Sequence, residues 1–134
     1  MSVKYNVVER GKPGDIEAPK KYYPSIQSSG RVTLRQISQT VSQMSTLSSA
    51  DTLAVLEALL TVIPQELSRG NIVELGDFGN FWLRTETEGT ATPEEVRAVH
   101  IKGVLPRFNA GREFKKVLDT IEFVKTSEPA APQE

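Results

Sequence analysis

Residues 70–81, Gly-Asn-Ile-Val-Glu-Leu-Gly-Asp-Phe-Gly-Asn-Phe, divide the chain in two. Gly70 suits the left-handed position that closes a helix. Ile72, Val73 and Leu75 make a short β-prone run. Gly76 and Gly79 bracket Asp77-Phe78, and Phe81-Trp82-Leu83 resumes an extended chain. The residues just before this stretch read as helix. Those after it read as strand, excursion, strand and a last helix. Segregated helices and strands of this kind predict an α+β fold.

Two helices precede the divide. Leu34, Ile37, Val41 and Met44 recur at helical spacing over residues 34–45. Thr33 with Gln36 three residues later forms a capping-box pattern. A second helix starts near Ser48 or Ser49, where Asp51 complements the helix dipole. Leu53, Leu56, Leu60, Ile63 and Leu67 form one stripe of it, and Val55, Leu59 and Val62 lie beside that stripe. A helix apolar over most of its girth must be covered on several sides. In a chain of 134 residues a partner subunit is the simplest source of the second surface. Pro64 has no N–H to donate, which predicts a bend.

Beyond Gly79, alternation sends Phe81 and Leu83 to one face and Trp82 and Arg84 to the other. Residues 87–95 lack apolar periodicity and read as an exposed excursion. Residues 97–108 predict a long strand. Its apolar positions are Val99 and Ile101 before Gly103, then Val104 and Phe108 after it, and that switch of face predicts a β-bulge. A final helix runs from about residue 110 to 120 or slightly beyond, burying Phe114, Val117, Leu118 and Ile121. Residues 1–31 stand apart as a β extension with two strand-like runs, around Val3–Val7 and Lys20–Ile26, joined by a Gly- and Pro-rich loop. The expected division is 1–31, a β-ribbon extension; 32–124, the main domain; and 125–134, a tail disordered by composition.

Charge and composition remove several functions. No cysteine is present and His100 is the single histidine, which leaves no thiolate zinc site and little material for a catalytic triad or any other metal centre. No run of ~18 apolar residues is present to cross a bilayer, and the first ten residues lack the apolar region of a signal peptide. Asp77-Phe78-Gly79 spells a kinase triplet, but no glycine-rich loop or catalytic-loop sequence accompanies it. The net charge is −1, yet residues 1–31 hold six Lys/Arg against three acids and residues 84–118 seven against five. Cations therefore gather in the extension and the strand region. A nucleic-acid footprint and an ordinary solvated surface both accommodate that pattern.

Gly76-Asp77-Phe78-Gly79-Asn80-Phe81 resembles the G-F-G-T-F segment of bacterial HU and integration host factor, the histone-like DNA-bending proteins. Leu47-Ser48 resembles the family's L-S start of the second helix. Residues 105–115, Leu-Pro-Arg-Phe-Asn-Ala-Gly-Arg-Glu-Phe-Lys, resemble its V-P-x-F-x-x-G-x-x-L-K. The likeness covers about residues 33–122. It implies an HU-like α+β fold: two helices, a three-stranded antiparallel sheet with a protruding β-arm, and a C-terminal helix, with the extension added. It also implies an intertwined homodimer with Phe78, Phe81 and Phe108 in its core, beside Leu56 and Leu60. The implied partner is duplex DNA, held by its phosphates and along the minor groove. No cofactor, metal, membrane or catalysis is implied, and the implied location is cytoplasmic and nucleoid-associated.

The candidate DNA contacts are Arg84, Arg97, Lys102 and Arg107, with Lys20 and Lys21 from the extension and Pro93 as an intercalating wedge. The family's R-N-P-x-T-G arm tip is absent. Residues 90–95, Thr-Ala-Thr-Pro-Glu-Glu, stand in its place, and Glu86, Glu88, Glu94 and Glu95 put carboxylates where the family has arginines. The extension resembles that of a longer HU-like branch, and Tyr22 or Tyr23 is expected to help cover Trp82. Two functions follow. One is non-sequence-specific duplex binding and bending as a nucleoid architectural protein. The other is an HU-fold dimer whose saddle is covered by its own extension and which serves as a protein-interaction scaffold.

Overall fold

Among the described residues twelve stretches of regular backbone succeed one another: β1 (Ser2–Arg10), β2 (Lys21–Ile26), α1 (Leu34–Gln43), α2 (Ser49–Ser68), β3 (Val73–Glu74), a 3-10 turn at Gly76–Phe78, β4 (Gly79–Thr87), 3-10 turns at Pro93–Glu95 and Ala98–His100, β5 (Ile101–Ala110), α3 (Arg112–Leu118) and β6 (Glu122–Lys125). The computed structural model describes residues 1–126; the expectation of a disordered tail falls mostly outside them. The chain divides into two units, Thr33–Val117 and Met1–Val32 with Leu118–Glu134.

In the Thr33–Val117 unit the expected caps are in place. Thr33 Oγ1 accepts from the Gln36 N–H at 3.3 Å, and Gln36 Oε1 accepts from the Thr33 N–H at 2.9 Å. Ser48 Oγ accepts from the Asp51 N–H at 3.1 Å. Each cap satisfies an N–H that the helix leaves open, worth about 1 kcal/mol. α2 continues through Pro64 and ends as Gly70 turns to φ 86°.

In the single chain the packing of α1 and α2 covers few of their apolar side chains. Their buried side chains are mostly small and polar: Ser38 in α1, and Thr52 beside Leu67 in α2. Ser38 Oγ donates to the Arg35 carbonyl at 2.6 Å and Thr52 Oγ1 to the Ser48 carbonyl at 2.8 Å, so burial leaves neither hydroxyl unsatisfied. Among the described residues Leu67 is the one buried apolar side chain. Ile37 and Val41 of α1 and Met44 at its end are exposed, as are Val55 (58%) and Leu60 (55%) of α2. The apolar stripes legible in the sequence therefore exist, but the single chain leaves much of them uncovered.

The sheet of this unit runs β3-β4-β5, antiparallel throughout. Its register pairs Phe81 with Phe108, Trp82 with Arg107 and Arg84 with Leu105. Glu86 faces Gly103 and Thr87 faces Ile101, so Lys102 is the extra residue of a bulge beside the glycine that predicted it. The second strand begins at Ile101, four residues later than expected. Ala98–His100 closes into a 3-10 turn instead. There the Arg97 N–H donates to His100 Nδ1 at 2.9 Å and the His100 N–H to the Arg97 carbonyl at 3.0 Å. Local bonds satisfy the backbone that a longer arm strand would have paired across, and residues 88–100 between β4 and β5 form an irregular connection with two 3-10 turns.

The other unit is a three-stranded sheet of order β2-β1-β6. β1 and β2 pair antiparallel from Tyr5 opposite Ile26 to Arg10 opposite Lys21. β6 lies parallel to β1, Val3 opposite Phe123. Sequence periodicity runs the last helix to about residue 120 or slightly beyond and assigns 118–124 to the main domain. The helix instead ends at Leu118, and the following residues group with the extension. A four-residue strand whose partner lies over a hundred positions away leaves no periodicity of its own to read.

Candidate nucleic-acid interface

Two glycines bring β4, β5 and α3 together. Gly79 sits at φ 146°, and a Cβ there would overlap the Asn109 carbonyl and the Phe108 ring. A Cβ on Gly111 would overlap the Asp77 carbonyl. At that approach the Gly111 N–H donates to the Phe78 carbonyl at 2.8 Å. The result is an aromatic cluster. Phe108 lies 4.8 Å from Phe81, 5.5 Å from Phe78 and 5.6 Å from Phe114, and Phe78 lies 5.2 Å from Phe114. The tilted and edge-on geometries are the favourable ones, each pair contributing about 1 kcal/mol. The sequence singles out three of these phenylalanines. Phe114 reads there as a helix residue rather than as part of the cluster; its place three residues after Gly111 is the available signal. Phe78 and Phe108 remain 48% and 40% exposed in the single chain.

The opposite face of the same strands carries the cations. Trp82 stands directly across from Arg107, and Arg84 is diagonal to Arg107, within reach of long side chains. Two of the candidate arginines thus flank one indole. Among the described residues neither has an ion-pair partner. Trp82 is half-buried and lines a cleft of roughly 220 Å³ with Leu67, Gly70, Asn71, Ile72 and Leu83. The end of α2 is a neighbour of Trp82 that alternation alone does not supply.

The other candidates are spread out. Arg97 and Pro93 lie in the excursion between β4 and β5, both exposed, with Pro93 opening its 3-10 turn. Lys102 bulges from β5, and its Nζ meets Glu88 Oε2 at 3.5 Å. No sequence pattern announces that ion pair; only the cross-strand register puts the two side by side. Lys20 and Lys21 belong to the other unit, at the start of β2.

An aromatic cluster on one face of a short antiparallel sheet, cations on the other and two helices before it define an HU-type fold. A family model described as HU-HIG, an HU domain fused to wHTH, Ig, or Glycine-rich motif, matches residues 1–125. The chain belongs to that family. It is 34% identical over 83 residues to the DNA-binding protein HU of Buchnera aphidicola, covering 60% of this chain and 90% of that one. Among solved structures it is similar to a candidate DNA-binding protein from Bacteroides vulgatus, with TM-score 0.62 and 11% identity over 92% of this chain. The chain spans only 47% of that protein's length. It is also similar to Anabaena HU in a DNA cocrystal, with TM-score 0.53 and 23% identity over 66% of this chain and 99% of the other. These structural likenesses speak to the fold.

Proposed function

We propose that this chain forms a homodimer that binds duplex DNA through its phosphates, with little sequence preference, and bends it as an architectural protein of the nucleoid. The observation that carries this reading is the pair of arginines, Arg84 and Arg107, unpaired beside Trp82 on the face opposite the phenylalanine cluster. HU from Buchnera aphidicola is named a DNA-binding protein and Anabaena HU is held in a DNA complex, which supports the same ligand class. The exposed apolar faces of α1 and α2 support the dimer, since a second copy offers matching surface. Phe78, Phe81, Phe108, Leu56 and Leu60 are then the core that two chains share, and residues 33–117 are the DNA-binding body.

In this reading Arg84 and Arg107 set the sheet face against the backbone, and Arg97, Lys102, Lys20 and Lys21 add phosphate contacts. Each neutralised phosphate releases condensed counterions, so the salt slope of log K steepens by about 0.9 per phosphate. Pro93, exposed at the head of its turn, is the wedge that unstacks a base step and kinks the duplex. The role is architectural and not catalytic, in the cytoplasm with the nucleoid.

One observation favours a second reading. Glu88 engages Lys102, and Glu86, Glu94 and Glu95 surround the excursion with carboxylates that repel phosphate. A dimer with so acidic an arm suits a protein-interaction scaffold. Titrating a fluorescent duplex, two to three helical turns long, at two salt concentrations separates the two. Tight binding that weakens steeply with salt supports the first, and absence of binding at low salt leaves the scaffold. Energy transfer between the labelled ends of the same duplex reports bending.

A further inference from the structure

We propose that the loop joining β1 to β2 holds a second phosphate-binding site, built by Arg10, Lys12 and Lys21, that takes the sugar–phosphate backbone of duplex DNA. The inference rests on the DNA-binding reading above and deepens it, joining Lys21, already counted among its phosphate contacts, to Arg10 and Lys12 in one site.

Three observations carry it. First, the antiparallel register sets Arg10 directly opposite Lys21. Like charges in that position repel, and the pairing is unfavourable unless an anion lies between them. Second, Arg10, Lys12 and Lys21 all line one concavity of roughly 580 Å³, walled by Pro13, Pro19 and Tyr23. That volume is in the range of small-ligand sites, wide enough for a run of backbone as well as a lone phosphate. Third, none of the hairpin's acids, Glu9, Asp15 and Glu17, lines that concavity. Glu9 sits one position from Arg10 along the strand and so faces the other side of the sheet. Asp15 Oδ1 accepts from the Glu17 and Ala18 N–H groups at 3.1 and 3.2 Å, folding the loop on itself. Among the described residues none of the three cations has an ion-pair partner. Three cations from two strands and a turn, converging without a carboxylate, make an anion site. A phosphodiester backbone presents anions in series, which matches three cations better than one small ion does.

The test uses the full-length chain. Duplex affinity is measured from low to high salt for the wild type, for R10Q/K12Q/K21Q, and for the charge-matched control R112Q/K115Q/K116Q on α3. Neutralising the hairpin is expected to weaken low-salt binding about tenfold or more and to flatten the salt slope by about 0.9 for each phosphate no longer neutralised. The control is expected to keep the wild-type slope. The melting temperature of the hairpin variant is expected to hold or rise, because the cross-strand repulsion goes with the charges. A wild type that binds steeply beside a hairpin variant with unchanged slope overturns this site and leaves the DNA reading intact. A wild type that fails to bind duplex at low salt overturns both. A parallel NMR titration with inorganic pyrophosphate separates the sources. Shifts at the Gly11 and Lys12 amides together with an unchanged duplex slope mean a free-anion site, which overturns the duplex assignment.

Discussion

Gly79 and Gly111 have the closest neighbours of any glycine here, since each admits a backbone carbonyl into the space a side chain would fill. Gly79→Ala and Gly111→Ala are expected to lose about 2 kcal/mol or more of stability, by overlap and, at Gly79, by its positive φ. Urea melts check this, and Gly89→Ala, where a Cβ meets open space, is the neutral comparison. Arg84 and Arg107 sit at the other extreme, exposed and unpaired. Arg84→Gln is expected to leave the melt within about 0.5 kcal/mol of wild type. It should also flatten the salt slope of duplex binding by about 0.9, the signature of one fewer neutralised phosphate. A slope equal to wild type would mean that Arg84 is a solvated cation.

Elements differ in how far their own residues specify them. α1 starts where Thr33 and Gln36 exchange hydrogen bonds, so Thr33→Ala is expected to cost about 1 kcal/mol, read from the same melts. The arm depends on a pair that no local pattern announces. Glu88 donates its N–H to the His100 carbonyl across the strands, and the extra residue of the bulge, Lys102, is what reaches its carboxylate at 3.5 Å. The pair is exposed and worth at most about 1 kcal/mol, so Glu88→Gln should barely move stability. It frees Lys102 and removes a carboxylate, and low-salt duplex affinity is expected to rise a few-fold. The gain should shrink as salt screens it. An unchanged affinity would place the arm away from DNA. The strand boundary at Ile101 has the same lesson. Arg97 to His100 look extended by alternation, but the bonds between Arg97 and His100 close a turn first.

For the whole molecule the deciding fact is how little apolar surface a single chain buries. Leu67 alone is buried among the described apolar residues, while Leu60, Val55 and the α1 face are open. Hydrophobic burial is the main favourable term in folding, so a chain left in this state has too little of it. Folding coupled to dimerisation is the expected outcome. The melting temperature should rise with protein concentration, and sedimentation should give twice the chain mass. Leu60→Glu is expected to break the dimer and lower the melting temperature sharply; a stable, folded monomer from that variant would reject the shared core.

Much is legible in the residues themselves. The caps at Thr33 and Ser48, the stop at Gly70, the bulge beside Gly103 and the alternation of Phe81 and Trp82 follow from bonds and periods spanning a few positions, which a sequence writes down directly. So does the family, through the glycines and phenylalanines of residues 76–81 and the Pro106–Gly111 run. Four things are decided by tertiary structure. β6 pairs with a strand at the opposite end of the chain; Phe114 joins the aromatic cluster through a helix packed on the sheet; Glu88 meets Lys102 across a bulge; and Arg10, Lys12 and Lys21 converge through a hairpin register. Each depends on residues far apart in the sequence brought together in space. Their meeting is fixed by close packing and hydrogen-bond register, and neither has a short-range signature.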